Sequence, residues 1–289
     1  MKVAGGWLTT WIVGIAMWIG AATTGLADPA RRIASLNLCA DQLLLSIVER
    51  ERIVGLSPFS HRPSMAFLAE TAAGLPALRG TAEEVIALKA DVVIVGPFGV
   101  AAARDMLKAR GIRVIEMPIA TSITEMRRTI ADIGAALGAE TRAAALIARI
   151  DAALGEPPPQ PGLEILPLER RGWIEGEQTI YAALLAAGGF VNAGARLTRT
   201  PWGGIVPLEQ IVKARVPFAM MSGATLSEVN DQGAGMMVHP ALAGLYPRDR
   251  LIITPGALMS CPVVSTPEIV AFLRGEHARL MARKAAATQ

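Results

Sequence analysis

A helix-and-strand segment occurs twice in this chain of 289 residues. Residues 83–95 read EEVIALKADVVIV, and residues 209–221 read EQIVKARVPFAMM. Each copy begins with a glutamate, continues with the apolar spacing of a helix, crosses a basic residue and ends in an apolar run of strand length. The repeat predicts one helix followed by one buried strand in each half of the chain. We therefore expect two α/β lobes with a ligand cleft between them.

The two glutamates that open the repeat copies are Glu83 and Glu209. In an α/β layer the helix runs antiparallel to the strand that follows it. Its N-terminus therefore lies beside the carboxyl end of that strand, where open sheets keep their binding crevice. A single acid in a first turn is explained by the helix dipole alone. Two acids at matching positions favour a shared role on the cleft rim, one in each lobe.

The first 27 residues have the pattern of an export signal. Lys2 is the only charged residue before Asp28, a mainly apolar stretch runs from Trp7 to Ile19, and small residues precede Asp28. The apolar stretch is short for a membrane span, so we expect a signal peptide cleaved near Ala27 and a periplasmic protein, with an uncleaved anchor as the alternative. The formal net charge is +3 and charges of both signs are dispersed, which argues against a nucleic-acid partner.

The rest of the chain divides at a helical stretch. Alternating strand and helix patterns predict an N-terminal α/β lobe over residues 28–121 and a C-terminal α/β lobe over residues 161–289. Residues 122–160 form the predicted linking helical segment, with a break near Gly138. The predicted fold class is α/β, with two Rossmann-like lobes that have central parallel sheets, are joined by a long helix and hold a ligand cleft between them. Residues 188–192 are predicted as a turn and residues 222–237 as irregular.

The two cysteines, Cys39 and Cys261, form an even pair in a chain that we expect to be exported. Such a pair is a disulfide candidate. Two free buried thiols are the alternative.

The motifs of common enzymes are absent from the sequence. It contains no nucleophile elbow and no P-loop, so we expect a protein that is not an enzyme. The three histidines have no helix-spaced metal pairing. We place His277 on the solvated face of the last helix and His239 at a helix start. His61 lies in a loop at a strand's carboxyl end, where it is a candidate ligand contact, although a solvated position is favoured.

Four large aromatic residues fall in loops that we expect to face the cleft. They are Phe59 and Phe98 in the first lobe, and Trp173 and Trp202 in Gly-rich loops of the second. Large aromatics at a cleft suit a planar or bulky apolar ligand, whereas the alternative is that each fills its own lobe's core. The candidate ligand-binding set is completed by residues from other cleft loops, namely Asn37, Leu38, Cys39, His61 and Met259.

The chain resembles the periplasmic substrate-binding proteins of ABC importers for ferric siderophores, haem and cobalamin. The resemblance covers residues 31–283 and rests on five segments: residues 33–42 (IASLNLCADQ), the unit 83–95, the turn 189–192, Trp202 followed by Leu208-Glu209, and the loop before Cys261-Pro262.

The resemblance implies a metal chelate in the cleft, no resident cofactor, and delivery to the membrane subunits of an ABC permease. It also implies that permease arginines pair with Glu83 and Glu209, and that Trp202 falls at or beside an aromatic that packs on the ligand in the cobalamin-binding member.

The sequence departs from the family pattern in ways that bear on the ligand. Ala90-Asp91 replaces a common Pro-Asp, and basic residues that would hold an anionic ferric siderophore are limited to Arg62 and Arg199. We therefore predict a monomeric carrier of a metal chelate, with cobalamin or another corrinoid slightly ahead of a ferric siderophore.

Three alternatives stay open. The first is a carrier of bare zinc or manganese ions, for which the candidate ligands are His61, His239, Glu175 and Glu177. The second is a haem-binding periplasmic protein. The third is an exported enzyme or haem-handling chaperone that would use Cys39, Cys261 or His61.

Overall fold

The computed structural model describes residues 32–98, 101–223 and 235–286, besides Met1. The predicted signal peptide and most of the segment predicted as irregular at residues 222–237 lie outside these ranges. No helix within the described ranges combines the length and apolar character that a membrane span requires.

The first lobe is a four-stranded parallel sheet with the spatial order β2-β1-β3-β4. All four residues of β3 are buried, as expected for a strand of a parallel sheet with helices on both faces. The strands are β1 (Ile33–Ser35), β2 (Ile53–Gly55), β3 (Val92–Val95) and β4 (Arg113–Glu116). The helices are α1 (Leu38–Ile47), α2 (Ala69–Ala72), α3 (Ala82–Ala87) and α4 (Ala101–Ala109).

Two helices, α5 (Ile123–Leu137) and α6 (Glu140–Gly155), follow the first lobe. The break predicted near Gly138 lies between them, and Gly138 takes the left-handed conformation that commonly ends a helix (φ 65°).

The two helices fold back on each other as an antiparallel pair. Arg127 Nε lies 2.6 Å from Asp151 Oδ1. This ion pair links the first half of α5 to the second half of α6, away from the turn that connects the two helices. Nearer the connection, a Cβ added at Gly134 would stand 2.5 Å from the Cβ of Ala143. Gly134 therefore permits the close approach of the two backbones.

The second lobe has a four-stranded parallel sheet with the order β10-β9-β5-β7, and a separate antiparallel pair β6-β8. The strands are β5 (Leu163–Pro167), β6 (Trp173–Glu175), β7 (Phe190–Asn192), β8 (Gly203–Ile205), β9 (Phe218–Ser222) and β10 (Leu251–Thr254). The helices are α7 (Ile180–Ala187), α8 (Gly194–Leu197), α9 (Leu208–Ala214), α10 (Pro240–Leu245), α11 (Gly256–Met259) and α12 (Thr266–Ala286).

The repeat in the sequence is also a repeat in the fold. In each lobe the first strand lies between the second and the third, and the fourth lies outside the third. The two copies are α3-β3 and α9-β9, so they occupy equivalent places. The basic residues that each copy crosses, Lys89 and Arg215, both follow their helix in the left-handed conformation (φ 51° and 46°). The predicted fold class of two α/β lobes with parallel sheets is confirmed.

One hydrophobic core runs through both lobes. It includes Leu43 of α1, Ile130 of α5, Ile150 of α6, Ile165 of β5 and Leu273 of α12. A smaller core lies within each lobe. Because the linking helices contribute to the shared core, a large change in the angle between the lobes would expose apolar side chains to water.

Three local predictions were wrong. His277 is buried rather than solvated: its Nε2 lies 3.0 Å from the Pro161 carbonyl oxygen, and its ring meets the edge of Phe190. The predicted turn at residues 188–192 contains β7, an edge strand that completes the second sheet. The Gly-rich loops around Trp173 and Trp202 contain β6 and β8, which pair with each other.

Candidate ligand-binding cleft

The carboxyl ends of strands from both lobes surround two adjoining cavities. Asn37, Pro97 and Met117 follow strands of the first lobe, and Ser222 ends β9 of the second. This is the side of a parallel sheet on which α/β proteins bind ligands. The two cavities share Tyr181 and Ser260.

The outer cavity, called here the cleft cavity, has a volume of about 320 Å³. Its walls are mostly apolar and combine the first lobe's Met65 with aromatic, methionine and proline side chains of the second. Its polar groups include two carboxylates and one guanidinium. The lining residues are Met65, Pro167, Glu169, Arg170, Trp173, Glu175, Tyr181, Met220, Ser222, Met259 and Ser260.

Trp173 is the largest apolar side chain of the cleft cavity and is 36% exposed. Strand β6 holds it, and its indole Nε1 donates a hydrogen bond to Glu175 Oε1 at 3.0 Å. On the facing strand β8, a Cβ added at Gly203 would lie 3.1 Å from the Trp173 ring. Gly203 also has φ 120°, so a glycine is required there for two reasons. The short β6-β8 pair thus fixes the indole at the cleft.

Two titratable groups of the cleft cavity are shifted toward their neutral forms. Burial raises the pKa of Glu175, and the hydrogen bond from Trp173 opposes this only in part. Burial also raises the pKa of Tyr181 above its usual range, with the negative charges of Glu175 and Glu169 adding to the effect. The Tyr181 hydroxyl donates to the carbonyl oxygen of Met259 at 2.7 Å. Tyr181 therefore lines this cavity as a neutral side chain whose position is fixed by its hydrogen bond.

The inner cavity, called here the inner compartment, has a volume of about 170 Å³. It lies where α1, α5, α7 and the segment before α12 meet, and most of its wall is apolar. The lining residues are Asn37, Cys39, Pro97, Met117, Pro118, Ile119, Ala120, Met126, Thr129, Ile180, Tyr181, Ser260, Pro262 and Val263.

A disulfide joins Cys39 to Cys261, the pair that the cysteine count suggested. Cys39 stands in the first turn of α1 in the first lobe, and Cys261 lies between α11 and α12 in the second. Cys39 also lines the inner compartment. The bridge therefore ties the two lobes together at the floor of the cleft.

The structure brings together only some of the predicted ligand-binding residues. Trp173 and Met259 line the cleft cavity, and Asn37 and Cys39 line the inner compartment. Leu38 is half-buried in α1 and lines neither cavity.

Three other predicted contacts from the first lobe line neither cavity. Phe59 lies under the Arg62 guanidinium, 5.3 Å from the ring centre. Phe98 is 76% exposed. The ring nitrogens of His61 lie 3.1 Å from Ser60 Oγ and 3.0 Å from the Leu75 carbonyl oxygen, so both already have partners.

Trp202 lies in a different groove from Trp173. The groove has a volume of about 440 Å³ and is lined by α5 residues, including Arg128 and Asp132, together with Ile119. Trp202 is half exposed there. The two tryptophans that the sequence placed together thus occupy separate surfaces.

Sequence reasoning missed Met65, Tyr181 and Met220 as cleft residues. Tyr181 had a signal that could have found it, because the chain has only two tyrosines. Met220 lies in the apolar run of β9. In such a run, a residue that faces the core cannot be distinguished by sequence from one that lines a cavity.

Glu83 and Glu209 are both exposed in the first turns of α3 and α9. The capping box of α3 is formed by Thr81 and Glu84, so Glu83 is not required for capping. Within the part of the chain that the structure describes, neither the Glu83 carboxylate nor the Glu209 carboxylate makes a hydrogen bond or an ion pair. Both carboxylates are therefore available to a partner.

The bare-metal alternative finds no site among the described residues, where no three His, Cys, Asp or Glu side chains come together. One of its candidate ligands, His239, has a structural role instead. Its Nδ1 accepts a hydrogen bond from the Ala241 amide and caps α10.

Comparisons with known proteins agree with this geometry. The family model described as periplasmic binding protein matches residues 33–156. The chain has the fold of the periplasmic binding proteins. The resemblance inferred from the sequence is confirmed. A comparison with curated proteins finds no match.

Three solved structures illustrate the likeness. The periplasmic haem-binding protein RhuT from Roseiflexus sp. RS-1 is 21% identical with a TM-score of 0.70, and the match covers 88% of this chain and 99% of that one. HutB of Vibrio cholerae, also a periplasmic haem-binding protein, is 19% identical with a TM-score of 0.67 and coverages of 84% and 97%. The haem-binding protein BhuT, in complex with two haems, is 19% identical with a TM-score of 0.65 and coverages of 87% and 97%.

Proposed function

We propose that this protein is the substrate-binding component of an ABC importer and carries a metal-bearing tetrapyrrole, either haem or a corrinoid, in the cleft cavity. The observation that carries the proposal is the apolar wall that both lobes build there, with Trp173, Met65 and Met259 around one space. Haem and corrinoids are large, rigid macrocycles that suit such a wall. The solved structures described above, which share the fold, are of haem-binding proteins.

The charges of the cleft cavity disfavour a ligand that would bury anionic groups there, such as a carboxylate-bearing ferric siderophore. Glu169 and Glu175 both line the cavity, whereas Arg170 is the cation among the lining residues. An anionic ligand would meet more negative than positive charge there, which costs affinity. Contact with the apolar wall favours binding instead. Burying about 200 Å² of apolar surface at about 25 cal/mol/Å² contributes about 5 kcal/mol before the costs of association.

The delivery step of the proposal uses Glu83 and Glu209. They stand at equivalent positions of the repeated helix-strand unit, one in each lobe, and both are exposed. Two such carboxylates fit a partner with two matching basic sites, and complementary charge raises both specificity and association rate.

The ligand assignment is tested by titrating the purified protein with haem, cobalamin, ferric siderophores and free zinc or manganese. Tryptophan fluorescence and ligand absorbance are read together. We expect saturable quenching by one tetrapyrrole at micromolar or lower concentration. Trp173→Ala should weaken its binding about ten-fold or more, whereas Trp202→Ala, the matched control, should change it less than two-fold.

Other results of this titration would count against the proposal. A dependence on Trp202 rather than Trp173 would move the ligand to the groove beside α5. Saturable binding of ferric siderophores alone would replace the ligand class, and a response to metal ions alone would favour the bare-metal alternative. No response to any chelate from correctly folded protein would refute the carrier function.

The delivery step is tested by ligand uptake in cells that carry Glu83→Gln, Glu209→Gln or both. We expect each single variant to slow uptake several-fold and the double variant to abolish it, with unchanged ligand affinity in the purified protein. Glu140→Gln is the control, because Glu140 is also an exposed acid in the first turn of a helix. Normal uptake by the double variant would refute the docking role.

A further inference from the structure

The inner compartment is lined by a threonine whose hydroxyl has no hydrogen-bond partner in the described residues. Thr129 of α5 is only 7% exposed and lines the compartment. A threonine within a helix commonly donates to the carbonyl four residues earlier, but Thr129 makes neither that bond nor any other within the described ranges. Because polar groups inside a protein are normally paired, an unpaired hydroxyl on a residue that lines this compartment is a ready site for a ligand atom.

A second polar group lines the same compartment from the first lobe. Asn37 caps α1, and its Oδ1 accepts from the amides of Cys39 and Ala40 at 3.0 and 3.1 Å. This fixes the other end of the amide as the donor Nδ2, which makes no hydrogen bond within the described ranges. Gly96 gives Nδ2 its space, since an added Cβ would lie 2.6 Å from it. The compartment is thus lined by two residues that each have an available donor, and the Thr129 hydroxyl is also an acceptor.

The size and walls of the compartment limit what it can take. Its volume of about 170 Å³ is close to the roughly 150 Å³ of an apolar cavity that holds a benzene molecule. A whole tetrapyrrole cannot enter it. Met117, Met126 and Ile180 supply apolar walls, and Tyr181 and Ser260 are shared with the cleft cavity.

We propose that the inner compartment is a specificity subsite for an arm of the ligand: a benzene-sized, mostly apolar group that carries one hydroxyl or carbonyl oxygen. Thr129 and Asn37 would bind that oxygen, and the methionine and isoleucine side chains would pack around the rest. The inference rests on the proposed function, because the arm belongs to a chelate held in the adjoining cleft cavity. Of the two proposed ligands, a corrinoid that carries such an arm is then preferred over haem, whose methyl, vinyl and propionate groups are smaller than a benzene ring.

The test uses phenol and toluene, which have nearly the same shape and differ in that phenol carries a hydroxyl where toluene carries a methyl group. The purified protein is labelled with ¹³C at the methionine methyl groups and titrated with each compound by NMR. We expect saturable shifts at Met117 and Met126, and none at Met106, which is exposed on α4. Thr129→Val keeps the side-chain shape and should weaken phenol binding about five-fold, the size of one lost hydrogen bond, while changing toluene less than two-fold.

A blocking variant gives a second readout. Ala120 is half-buried in the segment between β4 and α5 and lines the compartment, so Ala120→Leu should weaken both compounds ten-fold or more. If Ala120→Leu fails to fold, the inference is judged from the methionine methyl shifts and from the phenol affinity of Thr129→Val. Shifts only at Met65, Met220 and Met259, or phenol binding unchanged in Thr129→Val, would overturn the inference. Neither probe contains a metal, so the two proposals can fail separately. If phenol binds as expected but no chelate binds, the proposed function is refuted and the assignment of the inner compartment as a binding site is kept.

Discussion

Asp41 is a buried acid whose titration should control the stability of the first lobe. It lies in the first turn of α1 and is fully buried. The Ser57 amide lies 3.2 Å from both of its carboxylate oxygens, and the Ser57 hydroxyl also donates to it. Burial raises the pKa of Asp41 from 3.8 to about 7, and the hydrogen bonds from Ser35 and Ser57 only partly offset this.

The sign of the effect follows from the raised pKa. Between pH 4 and pH 7 the folded protein keeps the Asp41 proton that the unfolded chain has lost. Protonated Asp41 therefore favours folding, and its contribution is fully present below pH 4 and is lost as the pH rises through 7. A shift of about three pKa units at about 1.4 kcal/mol each makes the contribution about 4 kcal/mol.

The measurement is urea unfolding of wild type and Asp41→Asn at intervals from pH 4 to pH 8.5, with the disulfide intact. An asparagine cannot ionise, so the variant should gain about 4 kcal/mol relative to wild type across this range. Asp132→Asn is the control, because Asp132 is an exposed acid on α5. Its curve should parallel wild type to within about 1 kcal/mol, since exposed ion pairs contribute little. If the Asp41→Asn and wild-type curves are also parallel, Asp41 is ionised at its ordinary pKa and the burial argument fails.

Two further predictions concern stability. Lys89→Gly and Arg215→Gly should each raise the free energy of unfolding by about 0.5–1 kcal/mol, because both positions are left-handed; lower midpoints in urea would contradict this. Replacing Cys39 and Cys261 together by serine should lower the free energy of unfolding by about 5 kcal/mol on the chain-entropy model, given a separation of 222 residues; an unchanged urea midpoint would show that the bridge does not constrain the unfolded chain.

The features that sequence reasoning found were local ones. The units α3-β3 and α9-β9 have a helical pattern followed by a continuous apolar run, so their order could be read from neighbouring residues. Strands β6 and β8 are short and Gly-rich, and they pair with each other across residues 176–202. No short pattern marks such pairing. His277 was misplaced for a related reason, since its partner Pro161 lies far along the chain.

In the candidate site, too, sequence reasoning found local features and missed contacts between distant residues. Trp173 and Met259 could be proposed because large residues in loops after strands tend to face a cleft. The same argument placed Phe59, Phe98 and His61 there, but these three residues line neither the cleft cavity nor the inner compartment. A position at the carboxyl end of a strand determines where a backbone lies, but not the direction of the side chain. In Phe59 the direction is set by contact with Arg62, and in His61 by bonds to Ser60 and Leu75.

The connections between the lobes limit how a permease could distinguish the ligand-bound protein from the ligand-free protein. The shared core, the α5-α6 pair and the Cys39–Cys261 bridge all resist a change in the angle between the lobes. If Glu83 and Glu209 dock to a permease, their separation is then nearly the same with and without ligand. A ligand shifts an equilibrium only through its differential affinity for two states. With one dominant lobe arrangement, the permease must sense the chelate itself or the loops beside it. A cleft formed in advance also loses less ordering entropy on binding, which favours tight capture of a rigid macrocycle.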